Sequence, residues 1–298
     1  MFKTRYTEAG TQLFDRRSGW NILIDELCHE TLSTAPASVS IALTGRCNLN
    51  CSYCFAEKNN LSLNYDALCG WLIELDENGC LGVGFGGGEP LLYDRLQDLC
   101  LFVRNSTCMA CTMTTNARLI DSSIVKWMQQ SVDMCRISVD GSNTVYESAR
   151  GAPYKGLLER IELCVRAGIR VGINYLVNKD TLPSLDGVVD TMAGLGVGEI
   201  LFLPEVPTGE RRGVDAETLK YFKQWVKLYS GNVRLRLSDR FSYVCDDAIA
   251  PPGDTGLRAY AHISSSGVLK RTSFESEGVK IGESGLIAAF KSLSKGAI

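Results

Sequence analysis

The sequence predicts an α/β protein whose body is six β–α units, arranged as an open barrel or a wound sheet. Two observations carry this. From residue 39 onward, short apolar runs rich in β-formers alternate with longer segments of helical period, the order that gives a parallel sheet with helices packed outside it. Motifs rich in Cys, Gly, Glu, Asn and Asp then fall at the C-terminal ends of the expected strands, which right-handed crossovers gather at one mouth.

The first elements precede the barrel. Two strand-like runs, 11–15 and 20–25, flank Arg16-Arg17-Ser18-Gly19, and a β-hairpin is expected there. The six strands are expected at 39–43, 81–85, 109–115, 134–139, 171–177 and 199–203. Between and after them, helices are expected at 66–76, 92–103, 122–130, 154–167, 182–195 and 216–228. Segment 154–167 shows the period well, with Leu157, Leu158, Ile161, Cys164 and Val165 on one face. Segment 216–228 repeats it with Leu219, Phe222, Trp225 and Val226. Past residue 230 the alternation ends. Short strands are expected at 233–237, 259–263 and 268–271, interrupted by Pro251-Pro252-Gly253-Asp254. The division read from this is an N-terminal hairpin extension (1–36), a core (37–230) and a small C-terminal α+β appendage (231–298).

Composition narrows the function. Apolar residues make up 45% and charged residues 22%, ordinary for a soluble globular chain. The 31 basic against 34 acidic residues contain no basic run, so neither nucleic acid nor an anionic membrane is an expected partner. Apolar stretches such as 196–204 are too short to span a bilayer. No apolar signal segment follows Met1, so a cytoplasmic location is expected. His29 and His262 are the only histidines, which nearly removes Cys/His zinc sites and His-based triads. Twelve cysteines are scattered along the chain without forming a dense disulfide framework, so a tight group reads as metal binding.

One such group exists. Cys47, Cys51 and Cys54 form a C-x3-C-x2-C loop directly after the first barrel strand. Three thiolates this close hold one face of an iron–sulfur cubane and leave the fourth iron without a protein ligand. The competing reading is structural zinc, which wants four closed ligands, and no second pair or histidine is suitably placed. Cys108 and Cys111 lie in an expected strand, where side chains alternate between faces, and make poor joint ligands.

With these motifs in order, the sequence resembles the radical S-adenosylmethionine (SAM) superfamily over about residues 37–205, whose hallmark is this cysteine loop. The resemblance implies a partial (β/α)6 TIM-like barrel, one [4Fe–4S] cluster on Cys47, Cys51 and Cys54, SAM as cofactor, and oxygen sensitivity. Tyr53 matches the aromatic position beside the adenine. Gly86-Gly87-Gly88-Glu89-Pro90 resembles the motif that receives the SAM amino group, Gly87 and Gly88 permitting close ligand approach and Glu89 holding the ammonium. Thr114-Thr115-Asn116 matches the third-strand motif and brings in Asn116. Ser138 and Asp140, in Ile137-Ser138-Val139-Asp140-Gly141, stand where relatives face the ribose. Arg150 stands where an arginine pairs with the SAM carboxylate. Leu203-Pro204 and Pro207-Thr208-Gly209 resemble the sixth-strand end that packs on adenine. Taken singly, each of these has a plainer explanation as a turn, packing or surface residue; the ordered set carries the resemblance.

The nearest branch contains molybdenum-cofactor-biosynthesis, peptide-modifying and sulfatase-maturing enzymes, many with a C-terminal auxiliary-cluster module of the SPASM or twitch type. Here the strand–turn–strand 259–272 resembles that module, but the expected cysteine near Thr272 is absent and Cys245 is the only cysteine after Cys164. A single cluster is therefore expected. The resemblance implies reductive cleavage of SAM to a 5′-deoxyadenosyl radical that removes hydrogen from a peptide or small-metabolite substrate. It also implies an external one-electron donor such as a flavodoxin or ferredoxin. Cys245 is a candidate hydrogen-atom donor, set against an ordinary packing role. The N-terminal hairpin and the appendage are expected to border the substrate entrance. A non-catalytic SAM- and cluster-binding regulator and a zinc-binding module are the alternatives.

Overall fold

The computed structural model describes residues 2–26, 29–207, 212–245 and 253–296. Its first element is a three-stranded antiparallel sheet, β1 (Lys3–Thr7), β2 (Gly10–Asp15) and β3 (Trp20–Ile24). The barrel follows as β4 (Ser38–Thr44), α1 (Tyr65–Glu77), β5 (Gly82–Gly87), α2 (Leu96–Ser106), β6 (Ala110–Thr115), α3 (Ser122–Ser131) and β7 (Met134–Ser138). Two helices, α4 (Asn143–Arg150) and α5 (Tyr154–Arg166), lead to β8 (Val171–Val177), then α6 (Leu185–Gly194), β9 (Glu199–Pro204), α7 (Ala216–Leu228) and β10 (Arg234–Leu237). The remainder is α8 (Gly256–Ala259), β11 (Tyr260–Ile263), β12 (Val268–Lys270), β13 (Val279–Lys280) and α9 (Leu286–Lys295).

Strands β4 to β9 pair in parallel and in chain order, the partial (β/α)6 TIM-like barrel expected from the sequence. Both edges are extended. β10 pairs parallel with β9, so residues 234–237 continue the barrel sheet. On the other edge β11 pairs parallel with β4, and β12 and β13 add antiparallel. Along each barrel strand alternate residues face the helices and are fully buried, among them Val83, Phe85, Met113, Cys135, Ile137, Ile173 and Phe202. Helix starts are set by short polar caps: Asn64, Asp121 and Asp215 each accept a backbone N–H from the first turn of α1, α3 and α7.

Three local differences from the sequence reading have physical causes. Pro90–Leu92 forms a separate 3-10 turn, so the helix expected from 92 begins at Leu96. Helix α4 lies in a stretch read as loop, closed by Gly151 in the left-handed region at φ 66°. Strand β1 escapes the apolar pattern because its inward residues are Lys3, Arg5 and Thr7, all buried.

Those polar side chains show where the N-terminal sheet sits. Lys3 pairs with Asp76 near the end of α1, and Arg5 donates to the carbonyls of Ala35 and Gly79. Arg16 donates to the carbonyls of Arg104, Thr107 and Met109, and Arg170 to that of Arg17. These partners lie ahead of barrel strands, and the carbonyls of Gly79, Arg104 and Thr107 are among those left unpaired where α1 and α2 end. The hairpin expected at the substrate entrance therefore caps the opposite end of the barrel. Among the described residues no helix is long and apolar enough to cross a membrane.

Candidate active site at the mouth of the barrel

The cysteine loop is a closed excursion between the end of β4 and the approach to α1. Gly45 N donates to Leu61 O at 2.9 Å and Leu63 N to Leu43 O at 2.9 Å, while the Thr44 hydroxyl donates to Leu61 O. On its other flank the loop is zipped to the end of β5: Gly88 N donates to Thr44 O and Glu89 N to Arg46 O, both at 2.8 Å. A Cβ on Gly87 would stand 2.4 Å from Thr44 O, and one on Gly88 2.2 Å from Arg46 O. These glycines are required by the chain's own backbone, which refines the expectation that they make room for a ligand.

Cys47, Cys51 and Cys54 are unpaired and partly buried. Leu49 N donates to Cys47 Sγ at 3.4 Å, and the Asn116 amide nitrogen lies 4.0 Å from the same sulfur while donating to Asn48 Oδ1 at 2.7 Å. Burial pushes the Cys47 thiol pKa up, and the charges of Glu89, Cys51 and Cys54 add to this against the Leu49 N–H. Among the described residues no three His, Cys, Asp or Glu side chains form a cage for one metal ion. The donor set, three thiols on one short loop with two N–H groups directed at Cys47 Sγ, fits an iron–sulfur cluster.

Two polar networks tie this loop to the strand ends. In the first, Glu89 is buried; its Oε1 accepts from the Thr115 hydroxyl at 2.6 Å and Leu91 N at 3.2 Å, and its Oε2 from Asn116 N at 2.9 Å. Burial raises the Glu89 pKa, with those hydrogen bonds and Arg150 opposing. In the second, Asp140 Oδ2 accepts from the Tyr53 hydroxyl and from Arg150 Nε at 2.5 Å, while Oδ1 accepts from Leu176 N at 3.2 Å. Burial alone would lower the Arg150 pKa, but the charges of Asp140, Tyr53 and Cys51 outweigh it and hold the guanidinium firmly cationic. Helix α4 carries Arg150 in its last turn and so aims it at this network.

Beside the loop opens a cleft of about 500 Å³ lined by Cys47, Asn48, Ser52, Arg118, Arg150 and Gly151, among others. The structure thus gathers Cys47, Cys51, Cys54, Tyr53, Glu89, Asn116, Asp140 and Arg150 at one mouth. Ser138 closes β7 next to them, and Leu203 lies at the end of β9, whose Pro204 is buried. Thr208 and Gly209 lie outside the described residues. Cys245 follows the turn 239–244 after β10 and is not part of the cleft lining. The sequence gives no site role to Asn48 or Arg118, and Thr115 enters only as part of the third-strand motif. Thr115 and Asn48 carry no signal alone, while Arg118 follows Ala117, a buried non-glycine residue at φ 63° that marks a constrained turn.

Solved structures share this fold. Streptococcus suis SuiB bound to the precursor peptide SuiA superposes with a TM-score of 0.79 at 15% identity, over 97% of this chain and 87% of that one. His-tagged anSMEcpe with bound AdoMet gives 0.68 at 18%, over 88% and 78%. Among curated sequences, Fe-coproporphyrin III synthase of Methanosarcina barkeri is 26% identical over 56% of this chain, and a probable GTP 3′,8-cyclase of Methanococcus aeolicus 27% over 54%. The match spans only 43% and 56% of those two relatives. An uncharacterised protein of Methanocaldococcus jannaschii is 26% identical over 84% of this chain and 96% of its own length. The family model described as Radical SAM superfamily matches residues 41–192, half of the chain. This protein therefore belongs to the radical SAM superfamily.

Proposed function

We propose that this enzyme cleaves SAM reductively at the barrel mouth and uses the resulting 5′-deoxyadenosyl radical to take a hydrogen atom from a peptide or small metabolite. One observation carries the reading: the cysteine loop is joined through Asn116 to Glu89, and through Tyr53 to Asp140 and Arg150, beside a cleft. Bound cluster and SAM supply the electron and the radical; the chain's residues hold and orient them.

In this reading Cys47, Cys51 and Cys54 each take one iron and leave the fourth for SAM. Glu89 accepts three hydrogen bonds from its own chain, and a carboxylate has about four acceptor positions. The one left suits the SAM ammonium. Arg150 engages Asp140 through Nε, and its terminal nitrogens suit the SAM carboxylate. Asp140 and Ser138 face the ribose, and Tyr53, Asn116, Leu203 and the glycine backbone at 87–88 frame the cofactor. The chain has Cys245 as its only cysteine after Cys164, which supports one cluster and leaves Cys245 as the candidate hydrogen-atom donor. The electron comes from an external one-electron donor of the flavodoxin or ferredoxin class.

Anaerobic reconstitution with iron and sulfide tests this. The wild type is expected to turn brown and release 5′-deoxyadenosine only when dithionite and SAM are both present, and Cys51→Ala to lose both iron and product. Undiminished 5′-deoxyadenosine from Cys51→Ala would overturn it.

A further inference from the structure

We infer that the barrel lumen beneath the cofactor site holds an oxyanion subsite centred on Arg136, and that the substrate carries a carboxylate or phosphate group to fill it. This rests on the radical SAM reading and adds the substrate's chemistry to it.

On the barrel strands the residues that alternate with the helix-facing set point into the lumen. Cys111 meets Cys100 of α2, Tyr175 meets Ser184 and Phe202 meets Phe222 of α7, so the opposite face of those strands is inward. Register places Thr114, Arg136, Gly172, Glu199 and Arg234 on one rung across neighbouring strands. The next rung toward the mouth holds Ser138, Asn174, Leu201 and Arg236. Space exists on the lower rung itself, since Gly86, one residue past the Phe85–Met113 pair, stands level with Thr114 and a Cβ there would meet nothing within 4 Å.

The charges on the rungs do not balance. Arg136 donates through Nη2 to Glu199, and Arg236 Nε stands 3.6 Å from the other oxygen of the same carboxylate. Two guanidiniums share one carboxylate, Arg236 from a half-exposed position, and Arg234, exposed on the edge strand, adds another cation on the same face. Groups on the far edge of the sheet add no negative charge. Lys270 is matched by Glu57 at 2.9 Å. His262, bonded to Ser40, is neutral at pH 7 because burial and Lys270 push its pKa down to about 4.

Hydrogen bonding is also incomplete. Arg136 Nη1 is buried without a partner, seated where a Cβ on Gly172 would lie 3.3 Å away. Asn174 Oδ1, one rung higher, is buried without a partner as well. A buried donor without an acceptor is costly, so native structures rarely keep one unless water, an ion or a ligand completes it. An oxyanion at Arg136 supplies the missing acceptor and the missing negative charge together, and a substrate N–H or O–H one rung above satisfies Asn174. The rung lies about 7 Å below Ser138, two residues along a strand, so a small molecule anchored there presents its next carbons to the mouth.

The test uses anaerobically reconstituted holoenzyme at fixed ionic strength, titrated in separate arms with inorganic phosphate and with succinate and followed by thermal unfolding. Saturable stabilisation of the wild type is expected in at least one arm; which arm responds tells phosphoryl from carboxyl substrates. Arg136→Gln should weaken that binding about tenfold, the loss of one charge-assisted hydrogen bond, and Arg236→Gln about threefold. Arg166→Gln, on the solvent face of α5, should bind as the wild type does. If neither anion stabilises the wild type, or if Arg136→Gln binds both equally well, the subsite is wrong. Should Arg136→Gln fail to fold, unchanged binding by Arg236→Gln overturns it and weakened binding supports it. Absence of dithionite-dependent SAM cleavage by the wild type would instead count against the radical reading itself.

Discussion

The two ends of the barrel each bury an arginine, and the two arginines do opposite things. At the closed end Arg5 is fully buried; it pairs with Asp254 at 2.6 Å and donates to the carbonyls of Ala35, Gly79 and Arg258. At the mouth Arg150 is 9% exposed, bonds one carboxylate oxygen through Nε and borders a cleft. The first guanidinium is saturated by its own chain and can only lock. The second keeps donors for something else. Saturation, more than burial, separates a structural cation from a ligand-binding one.

Breaking the lock should have the largest effect on stability. Arg5→Ala leaves Asp254 buried beside Arg258 and orphans three carbonyls, so unfolding free energy should fall by about 3–5 kcal/mol in denaturant titration. The folded fraction should still cleave SAM, because no contact of Arg5 reaches the mouth. A loss of SAM cleavage greater than the loss of folded protein would show that the two ends are coupled.

The sequence disclosed the mouth far better than the closed end, for a related reason. Cysteine loop, Gly-Gly-Glu-Pro and Asn116 are local patterns whose chemistry needs those residue types at that spacing, and the apolar period alone places α7 at its observed ends, to which the structure adds the cap Asp215. The closed end depends on Arg5 meeting carbonyls 30 and 74 positions away, which no local pattern encodes. Because its inward residues are polar, β1 was not read as a strand, and the sheet it belongs to was expected at the wrong end. Helix α4 was missed although Ser142 and Gly151 mark its ends, since two polar turns between strands resemble a loop. Internal balance of charge, as on the Arg136 rung, appears only once register is known.

At the mouth, Gly88→Ala should be the more disruptive of two further changes. Its Cβ would press on Arg46 O, so the start of the cysteine loop must move. Stability is expected to fall by about 1–3 kcal/mol, with iron content per protein falling more than that loss alone explains. Full iron loading would show that the loop tolerates a shift at its anchor. Arg150→Lys should leave the fold intact but weaken SAM binding about tenfold by equilibrium dialysis, because an ammonium cannot serve Asp140 and a second carboxylate in the planar geometry of guanidinium. Unchanged SAM affinity would place Arg150 with Arg5, as a lock.

The smallest effect is expected from Tyr53→Phe. Its hydroxyl donates to Asp140, and burial, then the Asp140 charge, raises its pKa well above the ordinary value, so it stays a donor throughout the working range. Removing it does not strand Asp140, which keeps Arg150 on one oxygen and Leu176 N on the other. The ring also stays, with the Arg150 guanidinium carbon 5.7 Å from its centre. The cost should therefore be that of one ordinary hydrogen bond, about 1 kcal/mol in stability. Iron loading should persist and SAM affinity should change by less than about fivefold. If Tyr53→Phe instead loses its iron, the hydroxyl is what holds the cysteine loop against β7, and the mouth is locked as tightly as the closed end.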